Sequence, residues 1–424
     1  MSPAETIAHW QREISGHLPH LSRPQAAVLA LWSYGIVLTR SCGITTVVCF
    51  LAQALGWSKG NLRQRLREWC YDADDKRGEH RTELEPRTCF APLLGWILSW
   101  WAGSEHRLAL ALDATHLSDR FTVLAVSVQY RGCAIPVAWQ IMSAHAKGSW
   151  RPIWEELLQT LAAAVPPNWQ VIVLADRGLY ACWLYEQIAA LGWHPFLRVN
   201  DAVKIRPVDG KEEWQPISAL VGHPGENWAG EVECGHEERL RCHLLIHWEV
   251  GYEQCWIIAT DLPNEECQVA WYSLRFWIEG GFKDQKRGGW QWHQTKMRDP
   301  RRAGRLWLAM AVATLWVVSV GGQAEAQEEA EHRHQGSCQE PVTREREESG
   351  FLRGRLSIEA ALLRGESLPL GRFVPQPWPS QLRPLLKVVS GWLKRQREKQ
   401  RQRREKARRK QRKREQRRRQ KTYP

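Results

Sequence analysis

Residues 108–142, LALALDATHLSDRFTVLAVSVQYRGCAIPVAWQIM, contain three apolar runs rich in β-branched and aromatic residues, separated by short polar turns. Such runs predict β-strands, and the short turns predict an antiparallel meander. A helical segment at about 150–164, the strand WQVIVLAD, a helix near 181–191 and a short strand HPFLRV follow. Strands that begin antiparallel and continue as β-α-β-α-β form a mixed sheet covered by helices. We therefore predict an α/β fold.

Two aspartates lie where such a sheet offers positions for catalytic acids. Asp113 lies inside or just at the end of the first strand, and Asp176 ends the strand that follows the first helix. An aspartate buried in an apolar strand is unfavourable unless its charge is paired or coordinates a metal. The structural alternative pairs Asp113 with Thr115 in a turn and Asp176 with Arg177.

A third candidate acid lies in residues 271–289, WYSLRFWIEGGFKDQKRGG. On a helix turning about 100° per residue, Tyr272, Arg275, Glu279 and Lys286 fall within an arc of about 60°. A carboxylate flanked by cations suits a metal-dependent site for phosphodiesters, because the acid can bind a divalent ion while the bases hold phosphate oxygens. An ordinary amphipathic helix could show any one of these four residues alone.

The three acids, Asp113, Asp176 and Glu279, come from distant segments and suffice to hold two divalent ions about 3.5–4 Å apart. Hard oxygen ligands favour Mg²⁺ or Mn²⁺ over zinc. A zinc site is the weaker alternative, because its candidate ligands match no standard spacing: Cys234, His236, Cys242 and His243. The 11 cysteines include no CxxC pair, which is typical of reduced thiols in a cytoplasmic setting.

The region before residue 104 is predicted to be a helical, DNA-end-binding domain. Gly56, Trp57 and Ser58 indicate a turn with an N-cap serine, followed by the helical segment NLRQRLREW. That helix carries three cations suited to a helix-turn-helix DNA reader: Arg63, Arg65 and Arg67. A solvated basic face on a plain helical domain explains the same residues.

The remaining segments complete the predicted organisation. Residues 105–322 form the catalytic domain, with a β-rich insertion at about 200–260 and a buried core helix at 306–320 that is too short to span a membrane. An acidic linker at 323–350 and a C-terminal segment at 351–392 lead to a basic disordered tail at 393–424.

The charge of the chain is concentrated in that tail. The 424 residues carry a formal charge of +13, and the stretch 394–421 holds about +15 of it, which leaves about −2 for everything else. A polyanion is the expected partner. Nucleic acid is favoured over a membrane surface because no apolar face interleaves with the charges.

These motifs together resemble the DDE transposases of bacterial insertion sequences. The family group in question has Tyr, two residues, Arg, three residues, Glu, six residues and Lys, and the stretch from Tyr272 to Lys286 matches that spacing without a gap. ALDAT around Asp113 and VLADRGLY around Asp176 resemble the two aspartate regions of the family. The resemblance covers about 107–320.

The resemblance implies a ribonuclease-H-like fold, Mg²⁺-dependent cleavage at transposon ends, and transfer of the freed 3′-hydroxyl into target DNA. It also implies that Tyr272, Arg275 and Lys286 contact end DNA near the reacting phosphate, and that a homodimer synapses the two ends at the nucleoid. Two alternatives stay open: a catalytically inactive or repurposed DNA-binding protein, and a nuclease that does not transpose. Gly280 and Gly281 are interpreted as a close approach for DNA, as a kink, or as the sign of a drifted, inactive copy.

Overall fold

The computed structural model describes residues 2–77, 81–208, 213–235, 239–249, 252, 254–334 and 348–381. The basic tail predicted at 393–424, with the end of the segment before it, lies outside the described residues. His236, one of the four residues weighed for zinc, also lies outside them.

Ten α-helices occur among the described residues. In chain order they are α1 (Pro3–His17), α2 (Arg23–Thr39), α3 (Ile44–Leu55), α4 (Lys59–Cys70), α5 (Phe90–Ser99), α6 (Arg151–Ala162), α7 (Cys182–Ala190), α8 (Trp277–Lys283), α9 (Pro300–His334) and α10 (Gly350–Leu363). Capping boxes begin α1 and α2, where Ser2 and Ser22 accept hydrogen bonds from the backbone N–H groups of Glu5 and Gln25.

The strands form one ten-stranded sheet. They are β1 (Arg107–Leu117), β2 (Phe121–Tyr130), β3 (Cys133–Ser143), β4 (Gln170–Ala175), β5 (His194–Arg198), β6 (Lys204–Pro207), β7 (Gln215–Pro216), β8 (Asn227–Cys234), β9 (Leu240–His247) and β10 (Trp256–Thr260). Their order across the sheet is β3-β2-β1-β4-β5-β10-β9-β8-β6-β7.

This topology is the predicted mixed sheet. β1 pairs antiparallel with β2 and parallel with β4, and β4 pairs parallel with β5. Every residue of β2 is buried, which requires cover on both faces of the sheet. The prediction of an α/β fold with a mixed sheet flanked by helices is confirmed.

The residues predicted as a β-rich insertion form β6 to β10 and continue the central sheet. β10 pairs antiparallel with β5, where Ile258 lies opposite Arg198, and it also pairs with β9. Strands β1 to β5 and strands β6 to β10 are therefore joined by backbone hydrogen bonds.

The long helix α9 is the centre of the core. It is long and apolar enough to cross a membrane, but 94% of its apolar window is buried inside the protein. The bent pair α2 and α3, at 97° to each other, passes the same test of length and composition when taken together. The prediction of a core helix at 306–320 agrees with this burial.

The helices before β1 share that core with the catalytic region. α2 and α4 pack against α9, and the buried apolar residues of both regions belong to one continuous cluster. The indole of Trp69 in α4 donates a hydrogen bond to the backbone carbonyl of Arg305 in α9, at 3.0 Å. A domain boundary at residue 104 remains a prediction. In the described chain, one buried apolar cluster contains residues from both sides of that position.

Arg305 fixes this junction. Its guanidinium is 1% exposed and donates to the carbonyl oxygens of Leu84 and Cys70, each at 2.8 Å. It also donates to Asp72 at 2.7 Å and to Glu83 at 3.3 Å. All three nitrogens of this guanidinium are therefore bonded.

The acidic linker predicted from residue 323 is wrong for its first part, because α9 continues to His334. Two arginines hold its acidic last turns. Arg131 binds Glu329 at 2.9 Å and lies 3.7 Å from Glu325, and Arg353 of α10 binds Glu328 at 2.5 Å. The acidic residues of this segment form ion pairs with arginines that are distant in sequence. Such pairs leave no periodic pattern in the sequence.

The prediction of one regular helix through 271–289 is also wrong. Val269–Phe276 forms a 3₁₀-helix, α8 follows, and Asp284–Gly288 forms a π-helical turn in which Lys286 has the non-helical angles φ −93° and ψ −108°. Gly281 allows close packing, since a Cβ there would lie 2.8 Å from that of Ala134 in β3. Packing against the sheet accounts for Gly281. A Cβ on Gly280 would meet no packed neighbour among the described residues, so a close approach of DNA stays a prediction there.

Candidate active site

The sheet brings the two predicted aspartates side by side. Asp113 lies within β1, and Asp176 directly follows β4. The last registered pair of these parallel neighbours is Leu112 with Ala175, so the next residue of each strand is the aspartate. The third acid, Glu279, reaches the same place from α8.

One guanidinium holds all three acids. Nη2 of Arg275 lies 2.9 Å from Oδ2 of Asp113 and 3.4 Å from Oδ2 of Asp176. Nη1 of Arg275 lies 3.0 Å from Oε1 of Glu279, four residues along the chain. Arg275 is only 7% exposed, and its Nε is buried with no hydrogen-bond partner in the described chain. The sequence prediction of three converging carboxylates agrees with this geometry.

The site carries more negative charge than Arg275 neutralises. Burial raises the pKa of Asp113, and the neighbouring Asp176 raises it further, while Arg275 acts in the opposite direction. Burial likewise raises the pKa of Glu279. Arg275 faces three carboxylates, and Lys286 is a further cation that lowers the pKa of Asp113, so a bound divalent ion would stabilise these acids in their charged form.

These residues fit a divalent metal by the chemistry of their donors. Carboxylate oxygens are the ligands that Mg²⁺ and Mn²⁺ prefer, and the excess negative charge favours a cation. As arranged, no group of three Asp, Glu, His or Cys side chains in the described residues is placed to hold a metal ion. The oxygens instead face Arg275, so metal binding requires them to turn away from this guanidinium.

Tyr272 lies differently from the prediction that it contacts DNA. Its ring is 1% exposed, and its hydroxyl donates to the carbonyl of Ala175, the residue before Asp176, at 3.2 Å. Burial raises its pKa to about 12. In this arrangement the residue fixes the end of β4 and so positions Asp176.

Lys286 lies on the β1 side of the acids. Its Nζ donates to Oγ1 of Thr115 at 2.6 Å and to the carbonyl of His116 at 2.9 Å. Burial lowers its pKa, and Asp113 counteracts that effect. The π-helical turn thus brings the lysine back to the strand that carries the first acid.

The remaining predicted DNA contacts lie on α4, in the N-terminal helices. Arg65 and Arg67 are exposed and Arg63 is half-buried. The guanidinium of Arg65 lies 5.6 Å from the centroid of the ring of Trp57, which is 45% exposed in the turn after α3. A solvent-facing aromatic residue beside cations is a surface suited to DNA.

The alternative zinc site is not supported by its described members. Cys234 and Cys242 lie with their sulfur atoms 3.7 Å apart on the paired strands β8 and β9, and both are buried. No metal-binding cluster includes them within the described chain.

Sequence reasoning missed two features of this site. The first is the internal role of Arg275, for which the four-residue spacing to Glu279 was an available signal. The second is a pair of arginines beside the acids, Arg177 after β4 and Arg198 at the end of β5. Their relation appears only when the strand order is known.

A mixed sheet that presents three carboxylates from three segments suits metal-dependent chemistry on phosphodiesters, and the family comparison agrees. Residues 109–316 match the family described as transposase DDE domain. The predicted resemblance to DDE transposases is confirmed.

The other comparisons add little. Among solved structures, the chain is similar to a piggyBac transposase synaptic complex with hairpin DNA, at 11% identity and a TM-score of 0.36, over 91% of this chain and 82% of that chain. A likeness at that level carries no argument about this protein. No curated protein matches the chain.

Proposed function

We propose that this protein is a DDE transposase that cleaves DNA at transposon ends and joins the freed 3′-hydroxyl to target DNA. The single observation that carries the proposal is the convergence of Asp113, Asp176 and Glu279 on one point within a transposase DDE domain. These three acids would hold two Mg²⁺ or Mn²⁺ ions. When bound, such ions supply activation of the attacking oxygen and stabilisation of the leaving oxygen.

Two phosphoryl transfers follow from this proposal. In cleavage, a water oxygen bonds to the phosphorus at the transposon end, the bond to the 3′-oxygen breaks, and that oxygen takes up a proton. In strand transfer, the 3′-hydroxyl loses its proton and bonds to a target phosphorus, and a target 3′-oxygen leaves. Each step exchanges one phosphoester bond for another, or for a hydroxyl, so no oxidant or external energy source is needed.

The protein side chains prepare the site for these steps. Arg275 holds the three carboxylates together against their mutual repulsion, and Tyr272 fixes the end of β4. Lys286, beside Asp113, is placed to approach a phosphate once it leaves its contacts on β1. These residues therefore position the acids and the substrate rather than transfer protons.

The partners belong to the same proposal. The substrate is DNA, both as transposon ends and as target, and the working form is a homodimer on paired ends at the nucleoid in the cytoplasm. Arg63, Arg65 and Arg67 on α4 are proposed to read the ends. The basic tail would add strong, salt-sensitive binding that does not depend on sequence.

The test is cleavage and strand transfer on supercoiled DNA carrying the element's own ends, with Mg²⁺ present or chelated. Asp113→Asn is expected to lower cleavage on the order of a thousandfold, because losing a metal ligand removes several kcal/mol of transition-state stabilisation. Asp119→Asn is the matched control, since Asp119 is an exposed aspartate in the turn between β1 and β2. It should cleave like the wild type.

Glu279→Gln separates catalysis from binding. It should abolish cleavage and leave binding to end DNA nearly intact, because the shape of the side chain is kept. If the wild-type protein binds ends but never cuts them under varied metal conditions, the inactive DNA-binding alternative replaces this proposal. Cleavage without joined products would instead identify a nuclease.

A further inference from the structure

A pair of arginines stands next to the acids on the side opposite Lys286. Arg177 follows Asp176 at the end of β4, and Arg198 ends β5, the parallel neighbour of β4. The registered pair Ala175 and Leu197 places Arg198 level with Asp176 at the carboxyl edge of the sheet. This edge is where ligands of open α/β sheets bind.

Neither guanidinium group has an ion-pair or hydrogen-bond partner among the residues that the structure describes. Arg177 is exposed, whereas Arg198 is half-buried. Burial lowers the pKa of Arg198, and the charges of Arg177 and Arg275 lower it further against an opposing effect of Tyr272. A half-buried cation that is repelled by its neighbours is unfavourable in the free protein, and an arriving anion would remove that penalty.

The other cations of the site are already engaged. Arg275 is bound by three carboxylates, and the ammonium of Lys286 donates to Thr115 and His116. The sheet order β2-β1-β4-β5 puts Lys286 at one side of the acids and Arg198 at the other. A nucleic-acid strand crossing the acids towards β5 therefore meets Arg198 and Arg177 as open guanidinium groups.

We propose that Arg198, assisted by Arg177, forms a phosphate subsite that binds the DNA backbone next to the reacting phosphate on the β5 side. Guanidinium groups bind phosphate oxygens through paired, charge-assisted hydrogen bonds, which suits both residues. The ligand identified here is a phosphodiester anion, and its assignment to DNA rests on the proposed function. Arg198 is in this view a substrate-positioning residue with no part in metal binding.

The test is ethylation interference, in which single ethylated phosphates that block binding are mapped on a duplex carrying the element's end. The full chain is used with metal chelated, so that the DNA stays intact and each phosphate contact is resolved separately from those of the tail. In the wild type, interference is expected at phosphates beside the cut position. Arg198→Gln should remove interference at one or two of these phosphates and leave all others unchanged.

Two variants control this experiment. Arg372→Gln removes the same charge from an exposed arginine after α10, outside the region proposed to bind transposon ends, and should keep the complete wild-type pattern. Arg198→Lys keeps the charge without the planar fork and should weaken the same interference without abolishing it. An Arg198→Gln pattern identical to the wild type would overturn the subsite.

Thermal unfolding distinguishes a substrate role from a structural one. Because the Arg198 guanidinium has no partner in the described chain and is repelled by neighbouring cations, Arg198→Gln should unfold at the same or a higher temperature than the wild type. A clear fall in the unfolding temperature would show that the residue supports the fold and would overturn the proposal. If the ligand is DNA and not free phosphate, added inorganic phosphate should raise the unfolding temperatures of the wild type and of Arg198→Gln by the same amount.

Failure of this inference is separable from failure of the proposed function. If the wild type cuts DNA while Arg198→Gln leaves the interference pattern unchanged, the transposase proposal stands and the subsite falls. If the wild type never cuts but Arg198→Gln still erases the local interference, the subsite stands as a DNA contact of an inactive protein.

Discussion

Two buried arginines, Arg305 and Arg275, each gather several oxygen ligands, yet they differ in how completely they are satisfied. Arg305 divides its donors between two backbone carbonyls and two carboxylates, and all of its nitrogens are bonded. Arg275 faces three carboxylates, and its Nε has no partner among the described residues. Complete satisfaction marks a contact that holds the fold, whereas excess negative charge marks a site that awaits another ligand.

The acids around the two arginines show the same contrast. The hydrogen bond from Arg305 is the main cause that lowers the pKa of Asp72, so ionisation of Asp72 supports the fold. Burial is the main cause that raises the pKa of Asp113, so ionisation of Asp113 opposes the fold. The first region is arranged for stability and the second keeps charge available at the expense of stability.

The largest effect is expected at the structural arginine. Arg305→Ala should lower the free energy of unfolding by about 3 kcal/mol or more, because it removes the donor to the buried carbonyls of Leu84 and Cys70 and leaves Asp72 and Glu83 with Arg301 alone. Denaturant titration followed by fluorescence would measure the loss, and added Mg²⁺ should not restore it. A loss below 1 kcal/mol would remove the distinction between the two arginines.

A smaller effect is expected at the site arginine. Arg275→Ala should lower the free energy of unfolding by about 1–3 kcal/mol with metal chelated, because the three acids then repel one another without a counterion. Millimolar Mg²⁺ should recover most of that loss by binding the folded state alone. The same titration with and without Mg²⁺ measures this recovery. Equal losses under both conditions would mean that the acids do not form a metal site.

The smallest effect concerns pH, and its sign differs between the regions. The folded-state pKa of Asp72 is lowered from the ordinary value of 3.8, so its stabilisation is present above that pH and is lost as the pH falls below it. Asp72→Asn should therefore be less stable than the wild type at pH 7 and similar to it in acid.

The folded-state pKa of Asp113 is raised instead, so the wild type loses stability as the pH rises above the ordinary value of 3.8. Asp113→Asn should equal the wild type in acid and exceed it at pH 7 with metal chelated. Unfolding temperatures across this pH range would measure both variants. Shifts of the same sign in the two variants would contradict the assigned roles.

The positions of the acids could be predicted from the sequence, because they follow from the patterns of the strands. Asp113 and Asp176 each lie in or after an apolar run, and parallel pairing of the two strands then makes them neighbours. Glu279 was found by its spacing to cations, although the segment is not the regular helix that the spacing assumed. The predicted proximity of Arg275 and Glu279 is still correct, because the two side chains are in contact across their four-residue spacing.

Other features depended on tertiary contacts that local patterns do not encode. Tyr272 was expected at the DNA, but its hydroxyl is buried against β4. The end of α9 was interpreted as a linker because its acidic residues lack apolar periodicity, while the arginines that pair with them lie far away in sequence. The position of Arg198 beside Asp176, without a side-chain partner in the part of the chain that the structure describes, likewise depends on the assembled strands and not on a sequence motif.

The packing of α4 onto α9 bears on the distance between the DNA sequence that is read and the bond that is cut. Helices that share one core and are bonded through Trp69 and Arg305 cannot swing independently of the sheet. If α4 reads the transposon end, the rigid connection fixes the distance between α4 and the acids. The cut then lies at a fixed number of base pairs from the sequence that α4 reads. Five added base pairs, roughly half a helical turn, would turn the scissile bond to the far side of the duplex, and roughly ten would restore its face at the wrong distance.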